Sequence, residues 1–414
     1  MTEKTYDLVI VGGGCAGMAA AIAAYDSGLR SIVIIERSPL AGGVLRQCIH
    51  NGFGIQQFGR DLTGVEYADA FLNEVTKRHI TMMTGTIVLE ITSDRSVLAC
   101  GSGEMLLIRA GAVILATGCR ERPRGALLIP GSRPAGVMTA GCAQRYLNRE
   151  GYLVGKKIVI LGSGDIGLIM ARQFVLEGAE VSAVCEIMPY SSGLTRTIVQ
   201  CIEDYDIPLF FNTTVTRIIG DKRVEAVMIA EVDKDRRPLP ETERRIDCDA
   251  LILSVGLIPE NELAIQAGLA MDKATGGIAA DNTLQSDTEG IFACGNALHV
   301  HDLADFAAAE GALAGRCAAS YVKNGRSPEN KVVRTEAGFG VRGLVPQKIR
   351  LPLEESVRIQ FRPASRYTDC RVVIRSGERV IASLKKPILT PGEMFIREIK
   401  AADIDGDIRV EVVL

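Results

Sequence analysis

Apolar residues in the first three quarters of this chain fall in short unbroken blocks. Examples are Leu8–Val11, Ile32–Ile35, Ala112–Leu115, Ile158–Leu161, Ala250–Leu253 and Ile291–Ala293. Blocks of this length without polar alternation predict strands buried on both faces. Ala-rich stretches of helical length follow several of them, such as AGMAAAIAAYDSG and LADFAAAEGALAGRCAASYV. From about residue 330 the pattern changes to β-branched strands punctuated by turns, as in VRIQFRP, CRVVIRSGERVIASLKKPILTP and IRVEVVL. That stretch predicts a small β-sandwich of about 85 residues.

Two of the blocks open one repeated pattern. DLVIVGGGCAGMAAAIAAYDSGLRSIVIIERSP begins at Asp7, and KIVILGSGDIGLIMARQFVLEGAEVSAVCEIMP begins at Lys157. Gly12, Gly14, Gly17, Gly28, Glu36 and Pro39 align with Gly162, Gly164, Gly167, Gly178, Glu186 and Pro189. Each copy reads strand, G-x-G-x-x-G, helix, strand, Glu, the context of a dinucleotide pocket. The first glycine makes the tight turn and the second admits a pyrophosphate to the backbone. The third lets helix and strand pack closely. The pyrophosphate then meets the free N–H groups of a helix N-terminus, and the closing Glu accepts ribose hydroxyls. One such motif is a weak signal; two full copies with the acid at the same spacing are a strong one. Two dinucleotides in one chain suggest a flavin and a nicotinamide exchanging hydride.

Composition narrows the class. The chain has 414 residues, 47% hydrophobic and 23% charged, with a net charge of −3. This is too long for one small core, and two or three domains are expected. Acids and bases are mixed along it, so no basic face for nucleic acid is expected. No apolar run reaches membrane-spanning length, and MTEKTYDLVIVGGG lacks signal-peptide organisation, so a cytoplasmic protein is expected. The eleven cysteines are scattered without any C-x-x-C, which fits reduced thiols and argues against a zinc or iron–sulfur site.

GAVILATGCRERP, DALILSVGLIPENEL and GIFACGNALHVHD complete the set. Together with the two fingerprints they resemble the two-dinucleotide-binding-domain flavoproteins of the pyridine nucleotide–disulfide oxidoreductase superfamily, over about residues 5–325. The resemblance implies an α/β fold with two Rossmann-like domains, the NAD domain inserted in the FAD domain, plus the small all-β module. The expected domains are 1–120 (FAD, first part), 121–250 (NAD(P)), 251–328 (FAD, second part) and 329–414 (β-rich). It implies FAD contacts at Gly12, Gly14, Gly17, Glu36, Arg37, Gly43, Thr117, Gly118, Gly295 and Asn296. For NAD it implies Gly162, Gly164, Gly167, Glu186 and Gly256. Asn296 stands where the family has Asp. A carboxylate at Glu186 welcomes a 2′-hydroxyl and repels a 2′-phosphate, and IMPYSSG after it holds no arginine, so NAD is expected over NADP.

The segment GGVLRQCIH, from Gly42 to His50, lies where many relatives carry two cysteines four residues apart. Cys48 has no such partner, and the disulfide-reductase reading loses its central feature. The flavin-side candidates for catalysis are Cys48, His50 and His301. For Cys48 the competing reading is a buried inert thiol, and for the histidines simple bonding to cofactor or backbone. His299 and His301 alone lack the ligand count of a metal site, and no metal is expected. The chain looks most like flavoprotein subunits of the hydrogen cyanide synthase, opine oxidase and dye-linked proline dehydrogenase type, and flavoproteins that accompany glycerol-3-phosphate dehydrogenase-like partners. That likeness implies a small-molecule substrate or acceptor and an oligomeric assembly with a partner dehydrogenase subunit. The rivals are a stand-alone NADH-dependent reductase of a quinone, disulfide or oxygen, and a non-catalytic nucleotide-binding scaffold subunit.

Overall fold

The computed structural model describes residues 1–325, 331–352 and 356–414. The expected boundary between residues 328 and 329 lies outside them. The chain forms two compact units: Met1–Cys119 with Pro259–Leu414, and Arg120–Ile258.

In the first unit, strands Thr81–Met83, Ile32–Ile35, Thr2–Val11 and Glu104–Leu115 run parallel in that order. Ile291–Ala293 joins in parallel beside the last residues of Glu104–Leu115, whose first half pairs antiparallel with Ser96–Gly101. The blocks Leu8–Val11, Ile32–Ile35 and Ala112–Leu115 are buried, as unbroken apolar runs in a covered parallel sheet should be. Helix Cys15–Asp26 covers one face and packs on the long helix Ala304–Asn324. Both are rich in Ala and Gly, and the reason is distance. A Cβ on Gly311 would stand 2.1 Å from the Ala16 carbonyl oxygen, and one on Gly315 would stand 2.1 Å from that of Ala20.

The second unit has a parallel sheet ordered Val137–Thr139, Ala250–Leu253, Lys157–Leu161, Glu180–Cys185, Leu209–Phe210. An antiparallel sheet of Thr213–Gly220, Val224–Glu231 and Arg244–Asp247 accompanies it. This unit ends beyond the expected residue 250. Strand Ala250–Leu253 pairs along its whole length with Ile158–Leu161, so a boundary at 250/251 would cut the middle of a sheet.

The C-terminal strands form the expected β-rich module. A sheet of Lys348–Leu351, Lys331–Ala337, Ile408–Val413, Tyr367–Ser376 and Arg379–Leu389 shares one core with a sheet of Val341–Val345, Ser356–Pro363 and Phe395–Lys400. The module falls within the first unit and is fastened to it by charge. Arg350 pairs with buried Asp281, and Arg362 pairs with Asp302 and donates to the Val300 carbonyl at 3.0 Å. Among the described residues, no helix is long and apolar enough to cross a membrane.

Candidate functional site

The two fingerprints fold alike. Gly12 and Gly162 have φ of +113° and +101°, and a Cβ on them would stand 2.3 Å from the Ala116 oxygen and 2.0 Å from the Ser254 oxygen. Only glycine accepts both the backbone angle and the approach. Gly17 and Gly167 let helix and turn meet, their Cβ positions lying 1.9 and 2.7 Å from the Gly12 and Gly162 carbonyl oxygens. Gly14 is different: a Cβ there would meet nothing within 4 Å, so its surface is open to a ligand.

The acids behave alike too. Glu36 is buried, and its two carboxylate oxygens accept the Gly13 and Ser38 N–H groups at 2.8 and 2.7 Å. Glu186 is buried and accepts the Ser163 N–H at 3.0 Å, the Ser163 hydroxyl at 2.6 Å and the Met188 N–H at 2.9 Å. Each carboxylate is therefore held in place with acceptor capacity left for ribose hydroxyls. At Gly164, by contrast with Gly14, a Cβ would stand in ordinary contact with the Ser192 hydroxyl at 3.6 Å. Gly42 donates to the Gly13 carbonyl at 2.8 Å, and Gly43, at φ +58°, lies against Gly14. Arg37 is exposed beside Glu36. Gly118 and Gly256, at φ +74° and +104°, carry open Cβ positions, and the Thr117 hydroxyl donates to the Glu260 carbonyl at 2.7 Å.

Asn296 is more occupied than its motif suggests. Its Oδ1 accepts the His301 backbone N–H at 2.9 Å, and its Nδ2 donates to the Cys119 sulfur at 3.3 Å. Beyond these two bonds the amide has a second N–H and a second oxygen lone pair. Helix Ala304–Asn324 begins eight residues after Asn296, beyond the short turn Gly295–Ala297. Its first-turn acid, Asp305, accepts the Gly54 and Gln56 N–H groups at 3.1 and 2.9 Å.

The expected catalytic residues separate. Cys48 is buried, its thiol donates to the Val44 carbonyl at 3.4 Å, and burial pushes its pKa up to about 12. It packs against Gly64, whose Cβ position is 2.5 Å from the Cys48 Cβ. Burial and the raised pKa count against Cys48 as a nucleophile, since a thiol is reactive only as thiolate. His50 lies near Phe53, ring centroids 5.1 Å apart, and its Nδ1 is 3.0 Å from the Asn51 carbonyl oxygen. His301 instead joins a buried cluster.

The centre of that cluster is Glu310, which the sequence pattern did not single out. Its Oε1 takes His299 Nε2 at 2.9 Å. Its Oε2 takes His301 Nε2 at 3.0 Å and the Gly295 N–H at 2.7 Å. The two imidazole centroids are 4.2 Å apart. Burial alone would raise the Glu310 carboxyl, but the two imidazoles, by charge and hydrogen bond, hold it below the ordinary 4.5. Burial lowers His301 below its ordinary 6.5 against the opposing pull of Glu310. Nδ1 of both histidines is buried and has no partner among the described residues. Each such orphan acceptor costs about 1–3 kcal/mol. His299, His301 and Glu310 offer donor atoms within 4.8 Å of one another, a set that could hold a metal ion. Both Glu310 oxygens already lie within hydrogen-bond distance of an imidazole Nε2. The signal in the sequence was a carboxylate amid the Ala- and Gly-rich middle of a helix, where an unpaired buried charge would cost several kcal/mol.

The model of the pyridine nucleotide-disulphide oxidoreductase family matches residues 6–311. An opine oxidase subunit of Agrobacterium tumefaciens (strain Ach5) is 27% identical over 278 residues, covering 64% of this chain and 54% of that protein, about half its length. Hydrogen cyanide synthase subunit HcnB of Pseudomonas aeruginosa is 26% identical over 361 residues, covering 80% of this chain and 74% of that one. Among solved structures, thioredoxin reductase of T. acidophilum has a TM-score of 0.64 at 25% identity, covering 77% of this chain and 98% of that one.

Proposed function

We propose, for a chain that belongs to the pyridine nucleotide-disulphide oxidoreductase family and is an FAD- and NAD(P)-dependent oxidoreductase, the role of a flavoprotein subunit of a multi-component dehydrogenase. It exchanges hydride between NAD(H) and FAD and passes electrons to or from a partner dehydrogenase. The partner acts on a small metabolite of the amino acid, opine or glycerol-3-phosphate type. Eleven scattered cysteines without a C-x-x-C suit a cytoplasmic setting.

FAD, when bound, supplies the electron chemistry. The chain's residues bind and orient. Gly12, Gly14 and Gly17 cradle a pyrophosphate with Gly43 closing beside them, and Glu36 with Arg37 takes the adenosine ribose. Thr117, Gly118, Gly295 and Asn296 lie along the rest of the flavin. Gly162, Gly164, Gly167, Glu186 and Gly256 do the same for NAD, and Glu186 disfavours a 2′-phosphate. His301, neutral at pH 7, holds a bare Nδ1 as a proton acceptor, with His50 a second candidate.

The observation that carries this reading is the state of Cys48. A buried thiol with a pKa of about 12 and no cysteine partner four residues away offers no dithiol relay at this segment. Electrons then leave the flavin by another route. The opine oxidase and hydrogen cyanide synthase relatives are subunits by name, which supports a partner. An anaerobic titration with NADH, following the flavin band, tests the first step. Bleaching at near-stoichiometric NADH is expected; a protein that stays yellow overturns it. Co-purification from the native host with a dehydrogenase subunit tests the second.

The near full-length match to a thioredoxin reductase favours one alternative, a stand-alone reductase. It predicts rapid NADH turnover with a small disulfide, quinone or oxygen and no partner present.

A further inference from the structure

Glu310 lies on the buried face of helix Ala304–Asn324, where its neighbours on that face are Ala and Gly apart from Asp305 in the first turn. Its carboxylate takes three donors, the Nε2 atoms of His299 and His301 and the Gly295 N–H. A carboxylate only accepts, so each Nε2 must carry a proton. A neutral imidazole has one ring proton, and its Nδ1 is then a bare lone pair. Both Nδ1 atoms are buried without a partner among the described residues. Neighbouring groups do not compete for them. The Cys294 thiol is kept protonated by burial and by Glu310, and Asp302 is taken by Arg362 and by the Met394 N–H at 2.7 Å.

We infer that Glu310 is a positioning residue: by taking both Nε2 protons it fixes the tautomers of His299 and His301 and leaves their Nδ1 lone pairs to accept an N–H or O–H group of bound flavin or substrate. The flavin part of this inference rests on the proposed contact of Gly295 and Asn296 with FAD. The tautomer part does not. A native protein rarely leaves two buried acceptors unpaired without a use for them. The shared carboxylate also ties both rings to the strand end at Gly295, so the acceptors and the proposed flavin contact are held as one piece.

Histidine labelled with nitrogen-15 provides the test, because the chain has only four histidines. Long-range proton–nitrogen spectra of the flavin-loaded protein report which ring nitrogen carries the proton. His50→Gln and His79→Gln remove the other two signals. The expected wild-type result is two neutral Nε2–H imidazoles. An Nδ1–H tautomer at either residue overturns the inference without need of any Glu310 variant. Glu310→Gln sharpens it. Oε2 serves two donors and Oε1 one, so the amide oxygen should keep the Oε2 place and the amide NH2 should face His299. His299 should then switch to Nδ1–H while His301 keeps Nε2–H. Two unchanged rings overturn the tautomer lock. The flavin midpoint potential of the same variant tests the rest, and a shift from wild type is expected. With the His299 switch present, an unchanged potential overturns the flavin part alone and counts against the reading of Gly295 and Asn296.

Discussion

The backbone of Gly311 lies so close to Ala16 that a Cβ would stand 2.1 Å from the Ala16 carbonyl oxygen. The contact joins the helix behind the first fingerprint to the helix that carries Glu310. Gly311→Ala must force these helices apart. Overpacking of this kind costs about 1–3 kcal/mol or more, read as a lower denaturation midpoint in urea. Gly315→Ala, set against Ala20 at the same distance, should behave alike.

Gly14→Ala should do the opposite. Its φ of −76° suits any residue, and a Cβ there meets nothing in the protein. Stability should change little, because only a bound pyrophosphate would feel the added methyl. Flavin affinity should fall about tenfold or more, roughly 1.4 kcal/mol. The ratio of flavin to protein absorbance after dialysis reads this directly.

Glu186 sets the expected nicotinamide preference. Glu186→Gln removes the charge that repels a 2′-phosphate; its amide oxygen can keep both Ser163 donors, and only the Met188 N–H bond is given up. The ratio of NADH to NADPH in flavin reduction should narrow by about tenfold, a loss near 1.4 kcal/mol of discrimination. An unchanged ratio would place the discrimination elsewhere.

Cys48 should be silent. With its thiol raised to about 12 by burial, it should resist a thiol reagent at pH 8 until the protein is denatured. Cys48→Ala should leave NADH-dependent flavin reduction within about twofold of wild type, since a buried inert thiol contributes packing alone.

Acid should loosen the Glu310 cluster. The folded state lowers His301 below 6.5 and Glu310 below 4.5, so in both cases the unfolded chain binds protons more readily. Stability therefore rises with pH across these ranges. The His301 contribution is lost as pH falls below 6.5, and that of Glu310 as pH falls further, below 4.5. Denaturation midpoints measured from pH 8 to pH 3 should decline, and Glu310→Gln should flatten the part of that curve below pH 4.5.

Much of this protein was legible before its fold. Leu8–Val11 and Ile158–Leu161 announced themselves as covered parallel strands because nothing polar interrupts them. The glycine spacing named the turns because only glycine accepts their angles and approaches. The edge of the second unit was less legible: Ala250–Leu253 reads as a strand, but sequence cannot say which sheet it enters. Cys48 stands out by position, and only the fold shows that it is buried against Gly64.

The local pattern determined the two dinucleotide pockets and the β-rich module, because strand periodicity, glycine turns and the acid closing each repeat act between near neighbours in the chain. The Glu310 cluster was decided only by tertiary structure. Its four members span residues 295–310, but whether a helix carboxylate turns inward to two imidazoles or outward to water depends on what covers that helix. Here the helix Cys15–Asp26 and the sheet exclude water, and the charge has to find its partners inside.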